Sequence, residues 1–291
     1  MEVKNKIINK LKNLKNKLDV IKYRLYNLVK RSSGINSYSR NQLLIVSLTT
    51  YPKRFNVVYL TIESLMNQTI KPDKIILWLA KDELSDGKVP QKILKLKARG
   101  LDIRIVNENL RSYKKLVYTI DQFPTSNIIT CDDDIIYPEF FIEGLYNKLK
   151  EFPNNIIAYR CAFMQKLNNH QLKPYLRWTS PENSKASFNL FPTGVGGILY
   201  PPNSLHNKVL DKELFLKLSP LGDDIWFKAM ALLNNTKTVM VYEKSIEFPL
   251  IQGSQDDALW HTNVAENKND EQLKNVFDYF KLYDYIDKGE K

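Results

Sequence analysis

Cysteine is almost absent from this sequence: Cys131 and Cys161 are its two in 291 residues. Neither has a partner at metal-binding spacing, so a thiolate zinc site and a disulfide framework are both disfavoured, and a reducing compartment fits. Glycine (10) and proline (13) are not in excess, which argues against a fibrous or low-complexity chain. No stretch reaches the length of uninterrupted apolar residues that a transmembrane helix needs. Charges also break every apolar stretch before residue 40, which leaves no signal-peptide core. A cytoplasmic protein is the expectation. With 43% hydrophobic residues the chain can still bury a full core, as one large α/β domain or two small ones.

The net charge of +11 is uneven. Residues 1–32 hold ten Lys or Arg against Glu2 and Asp19, so eight of the eleven net charges lie in a terminal segment and the body is nearly balanced. That distribution, with no nucleic-acid motif, argues against a nucleic-acid partner. Ile7, Leu11, Leu14, Leu18, Ile21, Leu25 and Leu28 alternate in steps of four and three, which predicts a basic amphipathic helix within residues 1–34. A coiled-coil homodimer, a helix lying on an anionic membrane surface, and an extension packed on its own domain all remain open. Lysines beside the seam, with few acids to pair them, favour the membrane, and hence a peripheral position on its inner face.

From residue 42 strands and helices alternate. Residues 43–48, 75–79, 101–105 and 128–131 read as strands. Helices are expected from Val58, Ile62, Leu65 and Met66, over 90–99 up to Gly100, and over 113–122 before Pro124. This βαβαβαβ series predicts an α/β fold with a mostly parallel sheet flanked by helices. Past residue 150 the pattern loosens: 156–164, 195–200 and 238–242 read as strands, 211–218, 224–233 and 270–287 as helices. Two halves, 42–150 and 151–291, follow from this change.

Three consecutive acids, Asp132, Asp133 and Asp134, leave the fourth strand where open parallel sheets bind ligands. If the segment stays extended, Asp132 and Asp134 share one side and Asp133 takes the other. Two hard carboxylates on one side suit Mn²⁺ or Mg²⁺, completed by water and substrate phosphate.

Residues 129–138 (Ile-Thr-Cys-Asp-Asp-Asp-Ile-Ile-Tyr-Pro), about 80 residues after 46–54 (Val-Ser-Leu-Thr-Thr-Tyr-Pro-Lys-Arg), resemble the Asp-X-Asp motif and first-strand segment of GT-A-fold glycosyltransferases. The likeness is to bacterial enzymes that build surface polysaccharide or lipopolysaccharide, and it spans about residues 42–270. It implies a GT-A, Rossmann-like fold that binds a nucleotide-diphosphate sugar, with a UDP-sugar as the expected donor. By that resemblance Asp132 and Asp134 hold the metal and the donor. Asp133 and the loop of Thr49, Tyr51 and Arg54 join the donor site. Lys115 lies near the diphosphate, although a solvated lysine beside Lys114 reads equally well.

Residues 191–200 place Gly194, Gly196 and Gly197 within four positions, and Gly196 and Gly197 are expected in a wall of the sugar pocket. A tight turn explains them almost as well. Asp223 and Asp224 open a helix, where acids commonly cap. The pair also resembles the acids that supply the base in inverting GT-A enzymes, which makes Asp224 the expected base and Asp223 an acceptor-binding or capping residue. His261 resembles a further metal ligand, with Asn263 or Asp270 as substitutes. Trp178, Trp226 and Trp260 are candidates to stack on sugars, or core residues.

The expected activity is transfer of a hexose-type sugar to a saccharide or lipid-linked acceptor with inversion. A nucleotidyltransferase is the second reading, weakened because residues 49–52 lack a Gly/Lys-rich triphosphate loop. A non-enzymatic basic coiled-coil protein is the third.

Overall fold

The computed structural model describes residues 2–38, 40–84, 87–254 and 268–288, without the side chains of 2–9, 12 and 13. Helix α1 (Glu2–Val29) leads into β1 (Leu44–Thr49), α2 (Val58–Met66), β2 (Lys74–Ala80), a short α3 (Gln91–Leu94) and β3 (Leu101–Val106). Then come α4 (Lys114–Gln122), β4 (Asn127–Cys131), α5 (Phe141–Glu151) and β5 (Ile156–Ala158). Short strands β6 (Cys161–Phe163), β7 (Lys166–Asn168), β8 (Gln171–Leu172), β9 (Leu190–Pro192) and β10 (Ile198–Tyr200) precede α6 (Lys212–Leu218), α7 (Asp223–Leu233), β11 (Thr238–Met240) and α8 (Lys268–Phe280).

Seven strands form one sheet in the order β11-β5-β10-β4-β1-β2-β3. All neighbours are parallel except β10, which runs antiparallel to both β4 and β5. The proposed halves 42–150 and 151–291 therefore share one sheet. Chain order reverses between β1 and β4, whose carboxyl ends meet at Leu48 and Cys131. A crevice at such a reversal is where open α/β sheets bind ligands.

The central strands are largely apolar because both faces are covered. Val46, Leu48, Ile129 and Leu199 pack on one side with α2 and α5, while Ile128, Ile198 and Tyr200 pack on the other with α7 and α8. Strand β3 is an edge, so Ile105 is exposed and the alternation of its sequence is not a burial pattern. Residues 90–99 form α3 followed by a 3-10 segment, stopped by Gly100 at φ 105°. A buried polar knot fixes α4 to the sheet: Ser47 Oγ donates to the Lys115 carbonyl at 2.5 Å, and Trp78 Nε1 donates to Thr119 Oγ1 at 2.8 Å.

Helix α1 falls within the residues 1–34 expected to be helical. Its buried face carries Tyr23 and Asn27, and the leucine seam faces solvent.

Candidate active site

A cleft of about 890 Å³ opens at the β1–β4 reversal. Strand β4 ends at Cys131 and residues 133–134 turn, so the extended alternation expected of the three acids does not occur. Asp133 and Asp134 instead share one cation. Arg54, on the 3-10 turn Pro52–Arg54 after β1, places Nη1 2.5 Å from Asp133 Oδ1 and Nη2 3.0 Å from Asp134 Oδ2. Thr50 Oγ1 donates to the other Asp133 oxygen at 2.6 Å, and Thr61 Oγ1 to its carbonyl at 3.0 Å. Asp133 is thus buried at the cleft wall and engaged by Arg54, Thr50 and Thr61, which fix the turn. Ser254 Oγ donates to Asp134 Oδ2 at 3.2 Å. Thr49 and Tyr51 line the cleft; the Thr49 hydroxyl donates to the Trp78 carbonyl, and Tyr51 lies 5.5 Å from the Arg54 guanidinium.

Lys115 is buried, which removes the solvated reading. Its Nζ sits 2.9 Å from Asp132 Oδ1 and 3.4 Å from Asp223 Oδ2. Burial alone would lower its pKa, but Asp132, Asp223 and Asp224 outweigh that and hold it well above the usual value. Lys114 is buried as well, and pairs with Glu83 at 2.5 Å.

Neither helix-capping nor solvent explains Asp224. The N-cap of α7 is Gly222 without a side-chain cap bond, and Asp224 Oδ2 accepts the Gly194 N–H at 2.8 Å. Burial, followed by repulsion from Asp223, pushes the Asp224 carboxyl up to about 7. A carboxyl in that range can take a proton near neutral pH.

The glycine assignment moves. Gly196 and Gly197 do not line the cleft: a Cβ on Gly196 would stand 2.7 Å from Arg160 Cβ, and one on Gly197 (φ 75°) 2.5 Å from the Phe141 ring. Gly194 faces the chemistry instead, since its Cβ would meet Lys115 Nζ at 3.1 Å, Asp224 Oδ1 at 3.3 Å and Asp132 Oδ1 at 3.5 Å. Sequence reasoning also missed Arg111, Arg160, Tyr175 and Thr193 on the cleft wall. Arg111 has a left-handed φ of 52°, a local signal invisible in its residue type.

Asp270 does not approach the acids; its Oδ1 accepts the Tyr175 N–H at 2.7 Å and so holds the wall. Trp226 is core, with Nε1 donating to the Val209 carbonyl, and Trp178 is half-buried against Tyr175 and Phe191. His261, Trp260 and Asn263 lie outside the described residues.

Five carboxylates, Asp132, Asp133, Asp134, Asp223 and Asp224, face two paired cations, Arg54 and Lys115. Burial, then repulsion from Asp132, pushes Asp134 up to about 6. A divalent cation at Asp132 and Asp134 would relieve that crowding, so the donor set fits one in charge and in ligand type. Among the described residues no three His, Cys, Asp or Glu are placed to hold a metal by themselves.

No family model matches the chain, and no curated protein matches it in sequence. Solved structures do match it in three dimensions. S. aureus TarS 1-349 aligns at 13% identity and TM-score 0.49 over 81% of this chain and 72% of that one. GalNAc-T7, solved with UDP, GalNAc and Mn²⁺, aligns at 10% identity and TM-score 0.50 over 87% of this chain. The chain spans 57% of the length of the GalNAc-T7 chain. Sheet order, the crevice at the β1–β4 reversal and this superposition agree: the chain has the GT-A glycosyltransferase fold.

Proposed function

We propose that the protein is a metal-dependent, inverting glycosyltransferase. It moves a sugar from a nucleotide-diphosphate donor, a UDP-sugar, to a saccharide or lipid-linked acceptor of a surface glycan. The observation that carries this reading is Asp224: a carboxyl held by the Gly194 N–H, tuned to about 7, and set across Lys115 from Asp132.

Asp132 and Asp134 hold the cation, Mn²⁺ or Mg²⁺, which when bound supplies Lewis-acid neutralisation of the leaving diphosphate. Arg54 fixes the turn that aims Asp134, and Lys115 fixes Asp132 while adding positive charge beside the departing group. Asp224 takes the proton of the acceptor hydroxyl as that oxygen bonds the anomeric carbon. The bond from this carbon to the diphosphate oxygen breaks on the opposite face, and the nucleoside diphosphate leaves. The ligands with which GalNAc-T7 was solved, UDP, GalNAc and Mn²⁺, support the donor class.

The test is a panel of nucleotide sugars incubated with the protein and Mn²⁺, scored for nucleoside diphosphate release. Slow, metal-dependent hydrolysis of one donor, lost in Asp132→Ala, is the expected result. No release and no calorimetric binding of any donor overturns the reading.

A further inference from the structure

Helix α1 packs on the body through its polar and aromatic face and leaves its apolar seam outward. Tyr23 is 2% exposed and packs on the body, and Asn27 Nδ2 donates to Glu63 Oε1 at 3.3 Å and to the Lys92 carbonyl at 3.1 Å. Asn16 Nδ2 donates to the Leu250 carbonyl, and Lys22 Nζ pairs with Glu139, both at 2.8 Å. These clamps fix the rotation of the helix. Asn27 and Leu18 are nine positions apart, about 180° around an α-helix, so the leucine seam points away from the protein.

Leu11, Leu14, Leu18, Ile21, Leu25 and Leu28 are each between 52% and 60% exposed. They form an apolar stripe roughly 26 Å long at 1.5 Å per residue. Contiguous exposed apolar surface of this kind marks an interaction site. Lys15 borders one side of the stripe and Lys10, Lys17 and Arg24 the other, all exposed; Asp19 is the single acid on the helix beyond Glu2. A second copy would bring like charges together along its flanks. An anionic lipid surface takes the leucines among its acyl chains and the lysines at its headgroups.

We infer that the outward stripe of α1 is a docking surface for an anionic membrane, with the body held on the helix's opposite side. Leu250, which Asn16 holds, also lines the catalytic cleft, so the rim of the cleft is tied to the docked helix. The inference stands on α1 alone and does not require the catalytic reading.

Flotation of the full chain with vesicles tests it. Binding to phosphatidylglycerol-phosphatidylcholine vesicles, with little binding to phosphatidylcholine alone, is expected. Leu18→Glu with Leu25→Glu should abolish flotation while leaving the melting temperature unchanged, because both side chains already face solvent. Lys15→Gln and Lys17→Gln should each weaken binding to anionic vesicles roughly fivefold. Equal flotation of wild type and the double Glu variant overturns the inference. So does a dimer, seen by analytical ultracentrifugation, that the double Glu variant converts to monomer, since the stripe would then be covered by a second copy. Donor hydrolysis without vesicle binding defeats the anchor alone, and vesicle binding without donor binding defeats the catalytic reading alone.

Discussion

The two sides of the cleft treat their carboxylates differently. At the end of β4, Asp133 and Asp134 are pinned by Arg54 and by hydroxyls from Thr50 and Ser254. At the start of α7, Asp224 keeps one backbone N–H and the crowding of Asp223. Dense pairing fixes where an acid stands. Asp224, with fewer partners, is pushed up to about 7, against about 6 for Asp134.

The largest expected effect comes from removing the loosely paired acid. Asp224→Asn keeps the shape and the Gly194 contact, so donor binding by calorimetry should be unchanged while transfer falls 10²- to 10⁴-fold, about the worth of a general base. In the wild type, transfer should rise with pH through about 7, as burial and Asp223 hold Asp224 protonated below that. A flat profile between pH 6 and 8 would remove the contrast between the two sides.

Arg54→Met should cost stability instead. It leaves two buried acids without their cation, a loss of roughly 3–5 kcal/mol by chemical denaturation at pH 8. Burial and the neighbouring acids already raise Asp134 to about 6. Without Arg54 both acids bind protons more tightly still, so the deficit should shrink as pH falls to 5. An equal deficit at both pH values would mean that the pairing does not govern this turn.

Gly194→Ala sharpens the comparison where the sides meet. A methyl 3.1 Å from Lys115 Nζ and 3.3 Å from Asp224 Oδ1 must push one of them aside. Overpacking on that scale is worth about 1–2 kcal/mol, so transfer should drop roughly tenfold with donor affinity little changed.

Lys228, on the core side of α7, lies away from both sets of acids. It is buried, makes no hydrogen bond among the described residues, and is lowered by burial to about 7. The unfolded chain binds this proton more tightly, so stability should rise with pH between about 7 and 10.5. Lys228→Met should stabilise by roughly 1–3 kcal/mol at pH 7 and by less at pH 9, read as a melting-temperature difference.

Much of the frame was legible because β1, β2 and β4 are apolar on both faces and leave continuous runs such as 44–48 and 75–79. In the second half the places of β5, β6, β10, β11, α6, α7 and α8 were legible too, but β7, β8, β9 and the strand pairing were not, since these strands are two or three residues each and most pair with distant partners. Helix α5 was missed despite Phe141, Ile142, Leu145 and Leu149 at helical spacing. In the site, the three acids and the Asp223–Asp224 pair could be found by type and position. Which glycine faces the ligands could not, because Gly194, Gly196 and Gly197 differ only in what surrounds them. The seam of α1 was visible, but nothing local says that asparagines and a tyrosine win the docking face.

Strand β10 fills the sheet between β4 and β5 and pairs Thr130 with Ile198 across an intervening stretch that holds α5 and strands β5 to β9. During synthesis β4 keeps one edge of unpaired amides until the chain has been extended past residue 200. An open apolar edge of that kind attracts other strands. The chain therefore passes through a stretch of its own production in which its central layer is unfinished on one side, and pairings this distant close slowly. Truncation between residues 150 and 198 removes β10 and so leaves that edge of β4 open.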